Sequence, residues 1–202
     1  MTLLLGLETS TKICSVALSD GDKLLAIKEE GGTYSHAEKL TTFIQDVLQQ
    51  AGVKMENVDA IAVSKGPGSY TGLRIGVSVA KGLCYALNKP LISVDTLQAM
   101  ALNLSLTENA DLYCPMIDAR RMEVYTAVYN KNNEEVTPVT AKIIDENAFA
   151  DIEGRKIMFF GDGAEKCKAI LTSNNIIFND NGLPSAQFIN QLAALKFQQK
   201  FI

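Results

Sequence analysis

The chemistry that the chain suggests first is phosphate binding, at a stretch of glycines and hydroxyl residues in its first half. Residues 64–76 read SKGPGSYTGLRIG and follow a β-branched apolar run that ends at Val63. Gly66 and Gly68 predict a tight turn around Pro67, because glycine reaches positive φ without a steric penalty. The turn leads into a helix, and backbone N–H groups at a helix start bind anions. The stretch nevertheless lacks the GKS/T ending of a Walker A loop and the spacing of a dinucleotide fingerprint.

The sequence offers little for a catalytic centre. His36 is the one histidine, whereas a catalytic zinc site normally needs three protein ligands. A Ser-His-Asp triad would have to use His36, and nothing near it suggests one. The four cysteines are far apart and form no C-x-x-C pair, which is typical of thiols in a reducing compartment. We therefore expect no metal, no other cofactor and no catalysis by the chain alone.

Composition narrows the class of protein. The chain has 202 residues, of which 47% are hydrophobic and 21% charged, as in an ordinary globular protein. No basic leader is evident, and no apolar run approaches the roughly 20 residues of a membrane span. The formal net charge of −4 predicts weak attraction to nucleic acid. These features predict a cytoplasmic protein with no membrane contact.

Hydrophobic periodicity predicts the elements that position the glycine stretch. Three short strands with tight connections favour an antiparallel meander, and Ser35 with Glu38 has capping-box spacing for the helix that follows. The predicted strands of the first half are Leu3–Leu7, Cys14–Leu18, Leu24–Glu29, Ala60–Val63 and Leu91–Val94, and the helices are 35–51, Tyr70–Leu87 and Thr96–Leu104. The order βββαβαβα matches the ribonuclease-H-like half-domain of the actin, sugar kinase and Hsp70 superfamily, abbreviated ASKHA.

The pattern of apolar and polar residues changes after Ser105, where a second lobe of about 95 residues is expected. We predict strands at Leu112–Ile117, Val124–Tyr129, Val136–Ile144 and Ile157–Phe160, and helices at Ala164–Leu171 and Pro184–Phe201. The predicted domains are therefore an N-terminal lobe over 1–104 and a smaller C-terminal lobe over 105–202.

Three motifs, taken in order, resemble the TsaB (YeaZ) family of bacterial proteins needed for threonylcarbamoyladenosine modification of tRNA. They are Leu7–Thr11 followed by Cys14–Leu18, then Gly66–Gly76, then Ile117–Arg121 followed by Glu123–Tyr125. The resemblance extends to about residue 190, and the central motif is the specific one. It implies an α/β, actin-like fold of two lobes, each with a mixed sheet flanked by helices, the second lobe being small and degenerate.

The resemblance also implies a function and partners. It implies a non-catalytic subunit that binds and supports TsaD, the enzyme that transfers the threonylcarbamoyl group to adenosine 37 of tRNAs reading codons that begin with A. The ATPase TsaE completes the machinery, and tRNA is reached only through the complex. Alone, the chain is expected to form a homodimer. The alternatives are a nucleotide-binding ATPase or kinase-like enzyme of the superfamily and, less favoured, a metallopeptidase.

Small residues recur along the helix after the glycine turn. Gly72, Gly76 and Ala80 share one face, and because each helical glycine costs about 1 kcal/mol relative to alanine, they call for a structural reason. Such a face lets another helix approach closely, either the helix over 35–51 or a partner's. Arg74 opposes the dipole at the helix start, which predicts a compensating acid in the lobe or on a partner, and an ordinary exposed arginine is the equal alternative. The expected partner interface is Leu40, Ile44, Gly72, Leu73, Arg74, Gly76, Val77 and Ala80.

The remaining motifs are interpreted through the superfamily. Its nucleotide-binding members usually hold an Asp near metal and phosphates where this chain has Glu8. A solvated hairpin turn is favoured here over an active phosphate site, so any nucleotide site is expected to be vestigial. Its residues would be Glu8, Thr9, Ser10, Gly66, Gly68 and Ser69. For the turn over Asp118–Arg121, a salt-bridged structure is favoured over phosphate contact. The glycine turn over Gly161–Ala164 is similar to one that borders adenosine in relatives. TsaB proteins usually continue into a segment with Pro and Tyr-Leu-Arg, which is absent here, so an incompletely closed lobe and a truncated C-terminus both stay open.

Overall fold

The computed structural model describes residues 2–32, 36–152 and 154–199. Their contacts divide the chain into two compact units. Unit 1 contains the residues up to Thr96 together with those from Pro184 onward, and unit 2 contains Leu97–Leu183. The capping box predicted at Ser35 lies outside the described residues. No helix within the described ranges has the length and apolar character needed to cross a membrane.

A five-stranded mixed sheet forms the centre of unit 1. Its strands are β1 Leu3–Glu8, β2 Ile13–Asp20, β3 Lys23–Gly31, β4 Ala60–Ser64 and β5 Leu91–Val94, in the order β3-β2-β1-β4-β5. The first three strands pair antiparallel, whereas β1, β4 and β5 pair parallel. Every residue of β1 is buried, which explains why its sequence is a nearly continuous apolar run.

Helices cover both faces of this sheet. Helix α1 (His36–Ala51) and helix α2 (Tyr70–Leu87) enclose a core that includes Leu5 and Leu7 of β1. Between those two leucines, Gly6 faces the other way, toward the last helix, α4 (Ala186–Gln198). Because successive side chains of a strand alternate between faces, α4 lies on the opposite face of the sheet.

Polar contacts fix α4 to unit 1. The Asn190 side-chain amide donates to the carbonyl oxygens of Leu4 at 3.1 Å and Ala17 at 3.0 Å. The Ala186 N–H donates to the Ser15 hydroxyl at 2.8 Å. The sequence suggested that the last helix belongs to the second lobe, with a boundary near residue 104. The contacts divide the chain differently, because the face of β1 and β2 turned away from α1 is covered by α4.

Unit 2 contains a second mixed sheet. Its strands are β6 Leu112–Asp118, β7 Glu123–Asn130, β8 Glu135–Ile143, β9 Ile157–Phe160 and β10 Ile176–Asn179, in the order β10-β9-β6-β7-β8. Strands β6, β7 and β8 pair antiparallel, and β6, β9 and β10 pair parallel. The two mixed sheets flanked by helices confirm the predicted α/β class.

Among the described residues, fewer helices cover the second sheet than cover the sheet of unit 1. Helix α3 (Thr96–Thr107) packs on one face through Leu97, Met100 and Leu104. The other face is covered by short 3₁₀ turns at Ala150–Ile152 and Glu165–Cys167. A separate 3₁₀ turn lies in unit 1 at Met55–Asn57. The predicted helix Ala164–Leu171 is therefore wrong, and the short strand β10 was not predicted.

Candidate functional site

Glu8 lies at the end of β1, inside the protein. Its side chain is fully buried, and its Oε1 accepts from the Ser10 N–H at 2.5 Å and from the Ser64 hydroxyl at 3.1 Å. No basic side chain forms an ion pair with it among the described residues. Burial raises the pKa of Glu8, outweighing the hydrogen bonds that favour its charged form. Its Oε2 is buried without a hydrogen-bond partner among the described residues, so the chain encloses the whole carboxyl group.

The hairpin after Glu8 packs directly on the start of α2. The Thr9 hydroxyl donates to the Gly72 carbonyl at 2.8 Å, and the Ser69 N–H donates to the Ser10 carbonyl at 2.6 Å. A Cβ atom on Gly68 would lie within 3 Å of the Ser10 carbonyl, and one on Gly72 within 3 Å of the Thr9 carbonyl. These glycines are required because two backbone segments touch here.

The same contacts occupy donors that an anion would use. At the N-terminus of α2, the Ser69 N–H is taken by Ser10 and the Gly72 N–H by the Ser69 hydroxyl at 3.3 Å. His36 closes another side, with its Nε2 donating to the Thr11 carbonyl at 2.8 Å. The structure thus brings together the six predicted nucleotide-site residues, with Gly66 at φ +107°. Thr9, Ser69 and the Ser10 backbone bond to the chain's own atoms there, whereas the Glu8 Oε2 and the Ser10 hydroxyl are buried without a hydrogen-bond partner among the described residues.

The small-residue face of α2 points into unit 1. Gly72, Gly76 and Ala80 are buried, and a Cβ on Gly76 would meet the Thr9 hydroxyl. On α1, Leu40 and Ile44 are only 0% and 4% exposed. These five residues are expected from the sequence to contact a partner, and within the chain they pack on the hairpin and the sheet. Leu73 and Val77 are half-buried, so Arg74 is the one fully exposed member of the predicted set.

The opposite face of α2 borders an open groove beside the first turn of α1. The groove has a volume of about 480 Å³. It is lined by Ala37, Tyr70, Thr71, Arg74, Ile75, Ser78 and Val79. Further along α2, Tyr85 is 92% exposed, and Tyr70 at the groove is 74% exposed. Exposed tyrosines beside an apolar groove are typical of a protein-binding surface.

Arg74 and Tyr70 form a pair at this groove. The Arg74 Nη1 donates to the Tyr70 hydroxyl at 3.2 Å, and the guanidinium carbon lies 5.3 Å from the ring centroid. No carboxylate of the described residues forms an ion pair with Arg74. The interface predicted from the sequence includes Arg74 but not Tyr70, Lys81 and Tyr85, which lie with Arg74 on one exposed side of α2.

The turn between β6 and β7 in unit 2 is held by a lysine. The Lys166 ammonium contacts the Asp118 carboxylate and donates to the carbonyls of Arg121 and Glu123, each at 2.7 Å. The Asp118 N–H in turn donates to the Asp162 carboxylate at 3.0 Å. The favoured interpretation of a salt-bridged turn holds for Asp118, but the cation is Lys166. The exposed side chains of Arg120 and Arg121 take no part in it.

A cluster of three or more His, Cys, Asp or Glu side chains able to hold a metal does not occur among the described residues. The free thiols are also poor nucleophiles. Burial raises the pKa of Cys14 to about 11 and that of Cys114 to about 12. We find here neither an activated thiol nor a metal centre in the part of the chain that the structure describes.

Comparison with known proteins places these features in a family. Residues 27–200 match the family model described as "TsaD: tRNA N6-adenosine threonylcarbamoyltransferase". The chain is similar to proteins named "tRNA threonylcarbamoyladenosine biosynthesis protein TsaB". The one from Haemophilus influenzae is 30% identical over 98% of this chain and 87% of its own, and the one from Escherichia coli 29% identical over 97% and 87%.

Solved structures give the same result. YeaZ from Pseudomonas aeruginosa superposes with a TM-score of 0.84 and 30% identity, over 99% of this chain and 94% of its own. A polyphosphate/ATP-glucomannokinase from Arthrobacter, at a TM-score of 0.51 and 10% identity, shares the fold alone, over 99% of this chain and 100% of its own. The actin-like class predicted from the sequence is thereby confirmed. The chain belongs to the family of the matching model, as one of its TsaB members, the tRNA threonylcarbamoyladenosine biosynthesis proteins.

Proposed function

We propose that the chain is a non-catalytic subunit required for threonylcarbamoyl modification of adenosine 37 in tRNAs that read codons beginning with A. In this role it binds and supports the catalytic subunit TsaD and acts with the ATPase TsaE. tRNA is engaged only through the complex, in keeping with the net charge of −4.

The observation that carries the proposal is the packing of α2. Its glycine face packs against the hairpin that follows Glu8, so Thr9 and Ser10 fill the region that would accept phosphate. Its other face presents Tyr70 and Arg74 beside an open groove. A closed ligand region together with an exposed aromatic surface supports a binding role over catalysis.

The test is reconstitution with cognate components. The purified chain is expected to co-elute with TsaD from the same genome. Adding it to TsaD, TsaE and tRNA is expected to raise the threonylcarbamoyladenosine content measured by nucleoside mass spectrometry, relative to a reaction without it. Failure both to associate with TsaD and to support modification would remove the proposal.

The kinase-like alternative predicts that the chain binds nucleotide, whereas the proposed function predicts that it does not. Calorimetry with Mg-ATP is expected to show no saturable binding, because Glu8 is buried and bonded within the chain. Micromolar binding that disappears in Glu8→Gln would favour the alternative instead. Stoichiometric zinc or iron in the purified protein would similarly reopen the metallopeptidase.

A further inference from the structure

A small pocket opens at the surface of unit 2, beside the second sheet. It has a volume of about 230 Å³. Its lining residues lie between Glu146 and Ile152, at Ile157 of β9, and between Ala169 and Ile176. All of these positions belong to unit 2, so the pocket is built within one compact unit and far along the chain from the glycine stretch.

The pocket has an apolar floor and a polar mouth. Glu146, Thr172 and Ser173 line it and are exposed, so they lie at the mouth. The floor is made by large apolar side chains that are at most 8% exposed, namely Phe149, Ile152, Ile157 and Leu171. Pockets that bind small molecules combine apolar walls with a few polar groups that fix orientation. The arrangement therefore suits a ligand with an apolar body and one polar end.

Glu146 sets the charge of the mouth. It is the one charged side chain among the described residues of the lining, and in the described ranges it forms no ion pair. Two lysines of unit 2 have other partners. Lys142 donates to the Ala148 carbonyl at 2.7 Å and lies 4.7 Å from the Phe149 ring centroid, and Lys168 pairs with two other carboxylates. The Glu146 carboxylate is therefore left to accept hydrogen bonds from a ligand.

Many donors of the lining are already used within the chain. The Asn175 side-chain amide donates to the Arg155 carbonyl at 2.8 Å. Six backbone N–H groups donate to carbonyl oxygens of the chain, those of Ala150, Ile152, Ile157, Ile170, Leu171 and Ile176. An anionic ligand would need such donors and would face the Glu146 carboxylate. A cationic ligand needs acceptors instead, and Glu146 supplies a charged one.

We propose that this pocket binds a small organic amine, in which an apolar ring or branched chain carries one ammonium group. The ammonium donates to the Glu146 carboxylate, and the apolar part lies on the floor around Phe149. The volume limits the size, because a cavity of about 150 Å³ holds benzene, so 230 Å³ accommodates one ring with a short chain. The proposal does not depend on the function proposed above.

The experiment titrates the full chain with three probes of one shape and different charge. They are phenethylamine, phenethyl alcohol and phenylacetate, and binding is followed by NMR on methyl-labelled isoleucine. Phenethylamine is expected to bind saturably with a Kd on the order of 1 mM, and the alcohol about tenfold more weakly. Phenylacetate is expected not to saturate, because like charges oppose association. The methyl signals that should shift are those of Ile152, Ile157, Ile170 and Ile176.

Variants separate the charge of the pocket from its shape. Glu146→Gln is expected to raise the Kd of phenethylamine about tenfold and to leave that of the alcohol unchanged. Glu135→Gln is the matched control, because Glu135 is exposed on β8 and is not among the lining residues. Ala169→Leu narrows the pocket and should abolish saturation by both probes. Unchanged circular dichroism and melting temperature would establish that the variants fold.

Three results would overturn the inference. The first is an equal Kd of phenethylamine for wild type and Glu146→Gln. The second is phenylacetate binding as tightly as phenethylamine. The third is the absence of saturation with all three probes, or shifts that fall on Ile61 and Ile92 of unit 1 instead of the lining. TsaD takes no part in these titrations, so their outcome leaves the subunit role untouched.

Discussion

At the scale of single residues, Glu8 shows how a position typical of ligand chemistry becomes structural. The side chain lies at the end of β1, and its Oε1 accepts hydrogen bonds from the Ser10 N–H and the Ser64 hydroxyl. A buried carboxylate with no ion pair is costly, and this burial raises the pKa of Glu8 above its usual value.

The raised pKa of Glu8 predicts a pH dependence of stability. Because the folded-state pKa lies above the unfolded value, the stabilisation is fully present below the unfolded pKa and is lost as the pH rises through the folded pKa. Over that window the free energy of unfolding falls by up to about 1.4 kcal/mol per pH unit. Glu8→Gln keeps a neutral polar group of similar size and is expected to remove this slope.

Urea unfolding of both proteins between pH 5 and pH 9 checks the prediction. Glu8→Gln should become more stable relative to wild type as the pH rises. Burial raises the pKa of Cys14 to about 11, with a smaller contribution from Glu8, and because both proteins contain this thiol its own titration largely cancels in the comparison. Parallel stability curves for the two proteins would show that Glu8 is charged in the folded state.

At the scale of elements, α2 has two faces with different tasks. Gly72 and Gly76 let the helix contact the hairpin after β1, and the far side exposes Tyr70, Arg74, Lys81 and Tyr85. A helix normally avoids glycine in its interior, and here close backbone approach explains two of the three. Gly82 is the exception, because it is exposed and a Cβ there would meet nothing within 4 Å.

The glycines of α2 should therefore respond oppositely to alanine. Gly72→Ala forces a methyl group against the Thr9 carbonyl and is expected to lower the free energy of unfolding by about 1–3 kcal/mol. Gly82→Ala gains helix propensity without a clash and should raise it by about 0.5–1 kcal/mol. Urea denaturation of both variants tests this contrast, and an equal effect at both positions would contradict the packing described.

The faces of α2 also show what the sequence could and could not reveal. Periodicity correctly grouped Gly72, Gly76 and Ala80 on one face, but it does not tell which neighbour a face meets. That neighbour is the hairpin around Thr9, more than 60 residues earlier, and this contact depends on tertiary structure. The exposed residues Tyr70, Arg74, Lys81 and Tyr85 lie on the side of α2 away from that face.

The elements of unit 1 were predictable because long apolar runs and tight turns define them. In unit 2 the residues over Ala164–Leu171 contain enough helix formers to suggest a helix, yet only Glu165–Cys167 forms a 3₁₀ turn. The Cys167 and Leu171 side chains fill the core there without a longer helix. Strand β10 is only four residues long, follows two asparagines and itself ends at Asn179, so the local pattern gave too little signal.

At the scale of the whole molecule, unit 1 is assembled from two separated stretches of chain. Helix α4 supplies Asn190, whose amide satisfies two strand carbonyls, and Ala186, whose N–H meets Ser15. Sequence alone placed this helix with its nearest neighbours along the chain. Only the contacts reveal that this helix covers one face of the first sheet.

Asn190→Ala tests that architecture. Leaving the Leu4 and Ala17 carbonyls without this donor is expected to cost about 1–3 kcal/mol. Hydrogen exchange should accelerate in β1 and β2 while β6 and β7 keep their protection, because the contact lies within unit 1. Gln198→Ala, an exposed change in the same helix, is the control and should stay within about 0.5 kcal/mol of wild type. Uniform acceleration in both sheets would argue against α4 acting on unit 1 alone.

The position of α4 has a consequence for how the protein is made. A ribosome synthesises β1 to β5 first and then all of unit 2 before α4 emerges. At about 5–20 residues per second, this delay is on the order of ten seconds. During that time the sheet surface around Gly6 has no covering helix, and unit 2 has the opportunity to fold first. The nascent chain thus offers an apolar sheet to chaperones until its last helix closes the first unit.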